Sequence, residues 1–580
     1  MDTFLHKINR LKNWQVLIIF VFIGFAVFGH SLNNPFWGDD IPQIVNNVPV
    51  HSISNIKLFF EGSTFYDGQG NSKLTGTYYR PLMTTTFSLI YSAFGAHSFY
   101  YHLLQLLLCI GNSIIIYLIL KNFFKPIISL PLAIVFLLHP INSQVVYSIP
   151  CMQDALFVFF GLAALYTLIK FKNKSYLIVS VLLLMLSLLS KESGVLFVAV
   201  SLIYLLRWDR KRLVTFVAIL AIPIAAYIYL HINAVGIASN PKNAPIDNLS
   251  LQGRLINAPS IILFYITKIL FPLKLAYGYF WVYSTITIRH FFLPLAIDGL
   301  VLAAIVYLGM KIRKVTPKLN YFIFLFFAIW IVIGFVLIMQ LVPLDFTVSE
   351  AWFYFTSIGI LGILGSVAST FRPKLEYRAA IMIGVIIIIT LLGVRSFVRG
   401  FDWRSQDTLA NAEINADADD YTAYNLVAQN KLNQGDTVGA KTSILKSIDI
   451  YPLWSNYNTL GNILAKEHDY DGAYSTYKKG LQYGQNNIIY ENLCQLTLVR
   501  GDPAENEKFL VDSLKKYPAD SNIWLYFALF EQSYKNNKLA KAAISQSAIY
   551  AQVPSQIYYS IINNQPFSVN LSGLNKTISF

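Results

Sequence analysis

Charge is scarce in this chain. Only 13% of its 580 residues are Asp, Glu, Lys or Arg, while 55% are hydrophobic. Mean hydropathy is +0.50. Soluble domains carry about 25% charged residues. Half that share cannot coat a soluble protein of 65.7 kDa. A soluble enzyme, a disordered chain and a collagen-like fibre are excluded, which leaves a polytopic membrane protein. Cysteine is scarcer still. Cys109, Cys151 and Cys494 show neither a zinc spacing nor a disulfide framework. A basic stripe for nucleic acid is also missing. The net charge of +14 divides into +17 over residues 1–400 and −3 over 401–580. The excess belongs to the hydrophobic part, where it marks cytoplasmic loops.

What is there, in abundance, is long apolar runs. A helix needs roughly 17–25 apolar residues to cross a bilayer. The runs predict eleven spans, near 14–32, 98–120, 126–139, 152–170, 175–190, 194–207, 213–232, 291–310, 320–341, 353–370 and 379–398. A further stretch, 258–275, is interrupted by Pro272 and reads as re-entrant or as lying at the outer interface. With eleven crossings, six basic clusters all fall on the cytoplasmic side: Lys7/Arg10/Lys12, Lys121/Lys125, Lys170/Lys172/Lys174, Arg207/Arg210/Lys211/Arg212, Lys311/Arg313/Lys314/Lys318 and Arg372/Lys374/Arg378. The N-terminal run has no small-residue cleavage site after it and reads as an uncleaved signal anchor. The N-terminus is then cytoplasmic and the C-terminal region extracytoplasmic. The membrane is the cell membrane, or the endoplasmic reticulum in a eukaryote.

Ten of the thirteen acids in residues 1–400 fall on or near the outer face by this map, among them Asp39, Asp40, Asp67, Asp154, Glu192, Asp345 and Glu350. Arg80, His139 and Lys191 converge at the same level. Ionisable groups at a membrane boundary are functional candidates by default.

From about residue 402 the composition turns soluble and a repeat appears. Tyr421-x-x-Tyr424-Asn425 returns 33 residues later as Trp454-x-x-Tyr457-Asn458, and Gly439-Ala440 returns as Gly472-Ala473. A helical pair of about 34 residues with these positions resembles the tetratricopeptide repeat. About four units fill 421–552 within a 401–580 domain, and such arrays stack into a solenoid whose concave face binds peptide. The alternative is that they merely pack on the membrane domain. The tail 553–580 reads as frayed.

The first outer loop, 33–80, is the richest stretch. Phe36-Trp37-Gly38-Asp39-Asp40 puts adjacent carboxylates just past the first span, fit for a general base or a metal. Either acid also suits a cap for a helix starting at Ile41-Pro42. Tyr79-Arg80-Pro81-Leu82 follows, where Arg80 clamps a phosphate or snorkels to headgroups. His139-Pro140 ends the third span, Asp154 opens the fourth, and Ser190-Lys191-Glu192-Ser193-Gly194 joins the fifth and sixth almost without a loop.

Trp37-Gly38-Asp39-Asp40, Tyr79-Arg80-Pro81-Leu82, His139-Pro140 with Val146, Ser190 to Gly194 and the repeat array, in this order, resemble the transmembrane and tetratricopeptide-repeat O-mannosyltransferases. That family belongs to the class C glycosyltransferase superfamily. The resemblance implies an all-α fold: a polytopic helix bundle over 1–400 and a repeat solenoid over 401–580. It implies an inverting transferase that moves a sugar, mannose by family, from a polyprenyl-phosphate donor to Ser/Thr hydroxyls of exported protein on the outer face. In that reading Asp39 or Asp40 is the base. Arg80, His139 and Lys191 bind the donor phosphate, Glu192 holds Lys191, and Tyr79, Asp154 and Glu350 support the site. Outer loops without nucleotide-binding glycines fit a lipid-linked donor. No cofactor is implied, and paired carboxylates permit a divalent ion without requiring one. The partners are the lipid donor, membrane lipids and a polypeptide held by the repeats. Two positions depart from the family pattern: Gln105 stands where Asn is usual, and Ser349-Glu350-Ala351-Trp352 lacks the Arg expected after the Glu.

Two other readings remain. One is a relative acting on a lipid or glycan acceptor. The other is a non-catalytic scaffold whose array binds exported protein.

Overall fold

The computed structural model describes residues 9–66, 74, 76–236, 244–371, 374–500, 502–550, 553–574 and 576–580. Lys7, Asp67, Arg372 and residues 551–552 of the repeat array lie outside them. Two compact units emerge: residues 1–65 with 75–417, and residues 66–74 with 418–580.

The first unit is a bundle of apolar helices: α1 (Asn13–Phe28), α2 (Pro81–Phe94), α3 (Ser98–Leu120), α4 (Pro126–Leu138), α5 (Met152–Lys170), α6 (Ser175–Ser190), α7 (Val195–Trp208), α8 (Arg210–Val235), α9 (Leu251–Leu270), α10 (Leu293–Val315), α11 (Lys318–Ile338), α12 (Tyr354–Thr370) and α13 (Leu375–Asp402). All eleven expected runs are helical. Nine helical segments among the described residues are long and apolar enough to cross a membrane, or ten if one bent pair counts as a single span. The difference from eleven is physical. α4 stops after 13 residues and bends by 52° into the segment Pro140–Tyr147. α6 and α7 have 16 and 14 residues, because the Lys191–Gly194 turn reverses the chain at once. Gly194 permits that reversal: a Cβ there would lie 2.6 Å from the backbone of Ser187 and Leu188. The protein is a multi-pass membrane protein. α10 and α13 leave most of their apolar side chains uncovered, which suits lipid and not water.

α9 corrects one expectation. It is a continuous helix of 20 residues, and Pro272 lies beyond its end. The proline inside it is Pro259, yet the helix runs on. Arg254, near its start, donates to the carbonyls of Gln340 and Leu341, just past the end of α11. Ile269, at its other end, offers its carbonyl to His139, just past the end of α4. Between them Tyr265 donates to the Ser349 carbonyl, just before α12. Both ends of α9 therefore lie at one end of the bundle, and the helix runs across that end.

The second unit holds four helical pairs: α14 (Tyr421–Asn433) with α15 (Thr437–Ile450), α16 (Trp454–Lys466) with α17 (Tyr470–Gly480), α18 (Asn487–Leu496) with α19 (Pro503–Lys516), and α20 (Ser521–Ser533) with α21 (Asn537–Tyr550). Each second helix packs on its first, and successive first helices lie side by side. Aspartates cap the starts: Asp420, Asp436, Asp469, Asp502 and Asp520 all accept backbone N–H groups of the following helix. The tail is ordered, contrary to the expectation of fraying. α22 (Ser555–Asn563) leads into an antiparallel pair, β1 (Ser568–Leu571) and β2 (Lys576–Ser579). Buried Phe567, Leu571 and Leu574 anchor it, which supplies the core that its Ser/Asn content concealed.

Candidate active site

Gly38 takes a positive φ of 56°, which turns the chain sharply after Trp37. Asp39 and Asp40 follow at the turn. A one-turn helix does start at Ile41, but no carboxylate caps it. Asp40 instead reaches back and accepts the Trp37 N–H at 3.1 Å. It is 3% exposed, and its Oδ1 is buried with no hydrogen-bond partner. Burial pushes its carboxyl up to about 8, against the pull of the Trp37 N–H and with a push from Asp39. Asp39 opens to a cleft. The protein around that cleft shields it from bulk water and raises its carboxyl, while the Arg80 charge draws it partly back.

The cleft has a volume of about 120 Å³ and is walled by Trp37–Asp40, Tyr147–Pro150 and Tyr277. Its second wall is pinned by Gln105, whose amide donates to the Val145 and Ser148 carbonyls. The Gln at this departing position thus carries a structural load. Gln144 donates to the Tyr277 carbonyl at 3.0 Å and accepts the Ala351 N–H at 2.9 Å. Glu413 accepts the Tyr277 N–H at 2.7 Å.

Arg80 precedes α2, whose first residue is Pro81. Its guanidinium lies over the Tyr78 ring at 3.9 Å and faces Glu192 Oε2 at 3.6 Å. Glu192 Oε1 accepts the Tyr79 N–H at 3.1 Å. The Tyr79 side chain is fully buried and donates to the Phe60 carbonyl. Glu192 was expected to hold Lys191. It holds Tyr79 and Arg80 instead. Lys191 pairs with Asp154 at 2.6 Å, both buried. Consecutive residues at the turn thus take separate partners.

Two further expectations fare differently. His139 is not gathered with Arg80 and Lys191. Its Nδ1 accepts the Ile141 N–H at 3.2 Å and its Nε2 lies 3.0 Å from the Ile269 carbonyl, so both ring nitrogens serve the backbone. It fastens α9 rather than facing a phosphate. Glu350 also stands in a separate cluster. Its Oε1 accepts from the Ala276 N–H and the Tyr279 hydroxyl. The Arg absent at position 351 has a counterpart in space, because the charge of fully buried Arg399 acts on Glu350.

Sequence reasoning passed over Tyr78, Tyr277 and Asp345 as site residues. The Tyr78 hydroxyl donates to Asp345, and burial together with Asp39 raises that carboxyl to about 6. The one-sided distribution of acids already hinted at Asp345. Nothing local marks Tyr277. Among the described residues, no three His, Cys, Asp or Glu side chains group for a metal.

A family model described as dolichyl-phosphate-mannose-protein mannosyltransferase matches residues 80–232, the stretch from Arg80 through Lys191 and Glu192. The protein O-mannosyl-transferase F38B6.6 of Caenorhabditis elegans is 23% identical over 412 residues, 69% of this chain and 58% of that protein. The chain is similar in sequence to the protein O-mannosyl-transferases. Protein O-mannosyl-transferase TMTC3 of Mus musculus is 27% identical over 198 residues, 33% of this chain and 21% of its own length. TMTC1 of Homo sapiens is 31% identical over 132 residues, 22% of this chain and 15% of its own. The chain thus spans 58% of the first relative and far less of the other two. The crystal structure of the yeast Tom70 aligns over 77% of this chain and 92% of its own, at 12% identity and a TM-score of 0.25, a superposition too loose to carry an argument.

Proposed function

We propose that this relative of the protein O-mannosyl-transferases is a membrane glycosyltransferase. It moves a sugar, mannose by resemblance, from a polyprenyl-phosphate donor to a Ser/Thr hydroxyl of a polypeptide, at the outer face of the membrane. One observation carries the reading. Asp39 opens into a cleft within the electrostatic reach of Arg80, at an end of a membrane bundle. A raised carboxylate makes a stronger base than a free one, and it suits removal of a hydroxyl proton.

The acceptor oxygen attacks the anomeric carbon as the bond to the phosphate oxygen breaks, with inversion. Its proton passes to Asp39. Negative charge grows on the departing polyprenyl phosphate, which Arg80 and Lys191 stabilise. Glu192 and Asp154 hold these two cations in place. Asp40 keeps the turn, since its carboxyl is buried and tied to Trp37. The donor's lipid tail accounts for chemistry at the boundary of the bundle.

The outward orientation is supported by the basic clusters and by α9. Because α9 runs across one end, the number of crossings stays odd and all six clusters share a side. The repeat unit then lies outside, where it holds the acceptor polypeptide.

The test is transfer of radiolabel from polyprenyl-phosphate mannose to a Ser/Thr-rich protein by the purified chain. Label with wild type, lost in Asp39→Asn, supports the reading. No label from mannose or from other lipid-linked sugars moves the weight to the scaffold.

A further inference from the structure

Trp37, Tyr147 and Tyr277 all stand on the walls of the cleft that holds Asp39. One residue braces them. Fully buried Trp403 has its ring centroid 5.5 Å from that of Trp37, 6.2 Å from that of Tyr147 and 6.2 Å from that of Tyr277. The two tyrosines differ in what their hydroxyls do. Tyr147 spends its own on the Ser396 carbonyl at 2.7 Å. The hydrogen bonds of Tyr277 run through its backbone. Its N–H goes to Glu413, and its carbonyl accepts from Gln144 and, at 3.1 Å, from Ser349 Oγ. Among the described residues its hydroxyl has no partner, and Tyr277 walls the open cleft.

Tyr277 is nevertheless held in place. Gly278 beside it approaches the Phe346 ring so closely that a Cβ would lie 2.3 Å away. The same ring makes a T-shaped contact with Tyr277 at 5.6 Å between centroids. Of the ionisable groups around the Tyr277 hydroxyl, Asp39 acts on it most strongly, so the two face one space. A fixed backbone, a braced ring and an uncommitted hydroxyl make a donor preorganised for a ligand. The fold itself does not use it.

A pyranose presents two surfaces, a patch of C–H groups and a rim of hydroxyls. Aromatic walls suit the first, and a phenol beside a carboxylate suits the second. The base that takes the acceptor proton stands across the attacking oxygen from the anomeric carbon. A group that shares its cleft therefore reaches the ring of the transferred sugar.

We propose that Tyr277 selects the transferred sugar: its hydroxyl hydrogen-bonds one hydroxyl of a hexose whose C–H face lies on the aromatic walls. This rests on the reading that the cleft at Asp39 takes a lipid-linked sugar. A closed site built around one hydrogen bond rejects a sugar that lacks the matching hydroxyl, because the phenol is then left unpaired.

The experiment titrates the full chain in lipid nanodiscs with a short-chain polyprenyl-phosphate mannose and with its 2-, 3-, 4- and 6-deoxy forms. Binding is read by microscale thermophoresis. Wild type is expected to bind one of the deoxy forms about 10-fold more weakly than the full sugar. In Tyr277→Phe the full sugar is expected to fall to that level, so that the difference vanishes. The variant should melt as wild type does, since no protein group loses a partner. Wild type that binds all the donors alike overturns the proposal. So does a variant that keeps the discrimination, or one that weakens every donor equally and melts lower. Discrimination abolished by Tyr277→Phe in a chain that transfers no label would remove the glycosyltransferase reading and leave this inference standing. Transfer of label with discrimination intact in Tyr277→Phe would do the reverse.

Discussion

Lys191 and Asp154 form an ion pair of 2.6 Å with both side chains buried, while the next residue, Glu192, turns to Arg80. One tight turn between two short helices thus sets two cations with two separate counter-charges. A buried pair adds little net stability, but stranding one partner is expensive. Lys191→Ala is therefore expected to destabilise the protein by about 3–5 kcal/mol. Combining Lys191→Met with Asp154→Asn should recover most of that loss without restoring transfer. Thermal unfolding in nanodiscs, beside the transfer assay, separates the two effects.

The two adjacent aspartates are expected to behave differently. Asp39→Asn should lower transfer by about 10²–10⁴-fold, the usual contribution of a general base. Asp40→Asn should keep most of the rate, since an amide can still accept the Trp37 N–H. Equal losses in radiolabel transfer would sink this assignment.

The carboxyl of Asp40 also makes a pH prediction. Its value is raised from 3.8 to about 8 in the folded protein. The folded state therefore binds the proton more tightly than the unfolded chain. The stabilisation is complete below 3.8 and is lost as pH rises through about 8. Asp40→Asn should flatten the fall in melting temperature over this window, and a melt series at stepped pH will show it.

Arg80 offers a test of geometry against charge. Its planar guanidinium lies over Tyr78 and beside Glu192. Lysine keeps the charge but cannot stack or present a fork. Arg80→Lys is expected to cost transfer about 10²-fold with little loss of stability. Single-turnover rates with saturating donor will tell whether the loss is chemical.

Much of this was legible beforehand, and what was not has a cause. Apolar runs marked all eleven helices because lipid demands a long uninterrupted signal. The repeat from Tyr421 to Asn458 gave the solenoid because its period is local. Asp39, Arg80, Lys191 and Glu192 stood out as ionisable groups at a boundary. Their pairing did not, because at the Lys191–Gly194 turn Lys191 and Glu192 take separate partners, Asp154 and Arg80. Tyr277 was invisible, being more than 230 residues from Asp39 along the chain. His139 looked like Arg80 in sequence, yet backbone groups consume both of its nitrogens. The tail seemed frayed because its buried apolar residues, Ile561, Phe567, Leu571 and Leu574, are too few to register as a pattern.

The shortness of α6 and α7 has one more consequence. Their 16 and 14 residues reach only about 24 and 21 Å at 1.5 Å per residue. The hydrocarbon layer is about 30 Å thick. Lipid beside this hairpin must thin, or water must dip toward its turn. In the orientation proposed above, Lys191 and Glu192 then lie below the general level of the headgroups. The phosphate of the proposed lipid donor would settle into such a depression, and a thicker membrane would close it.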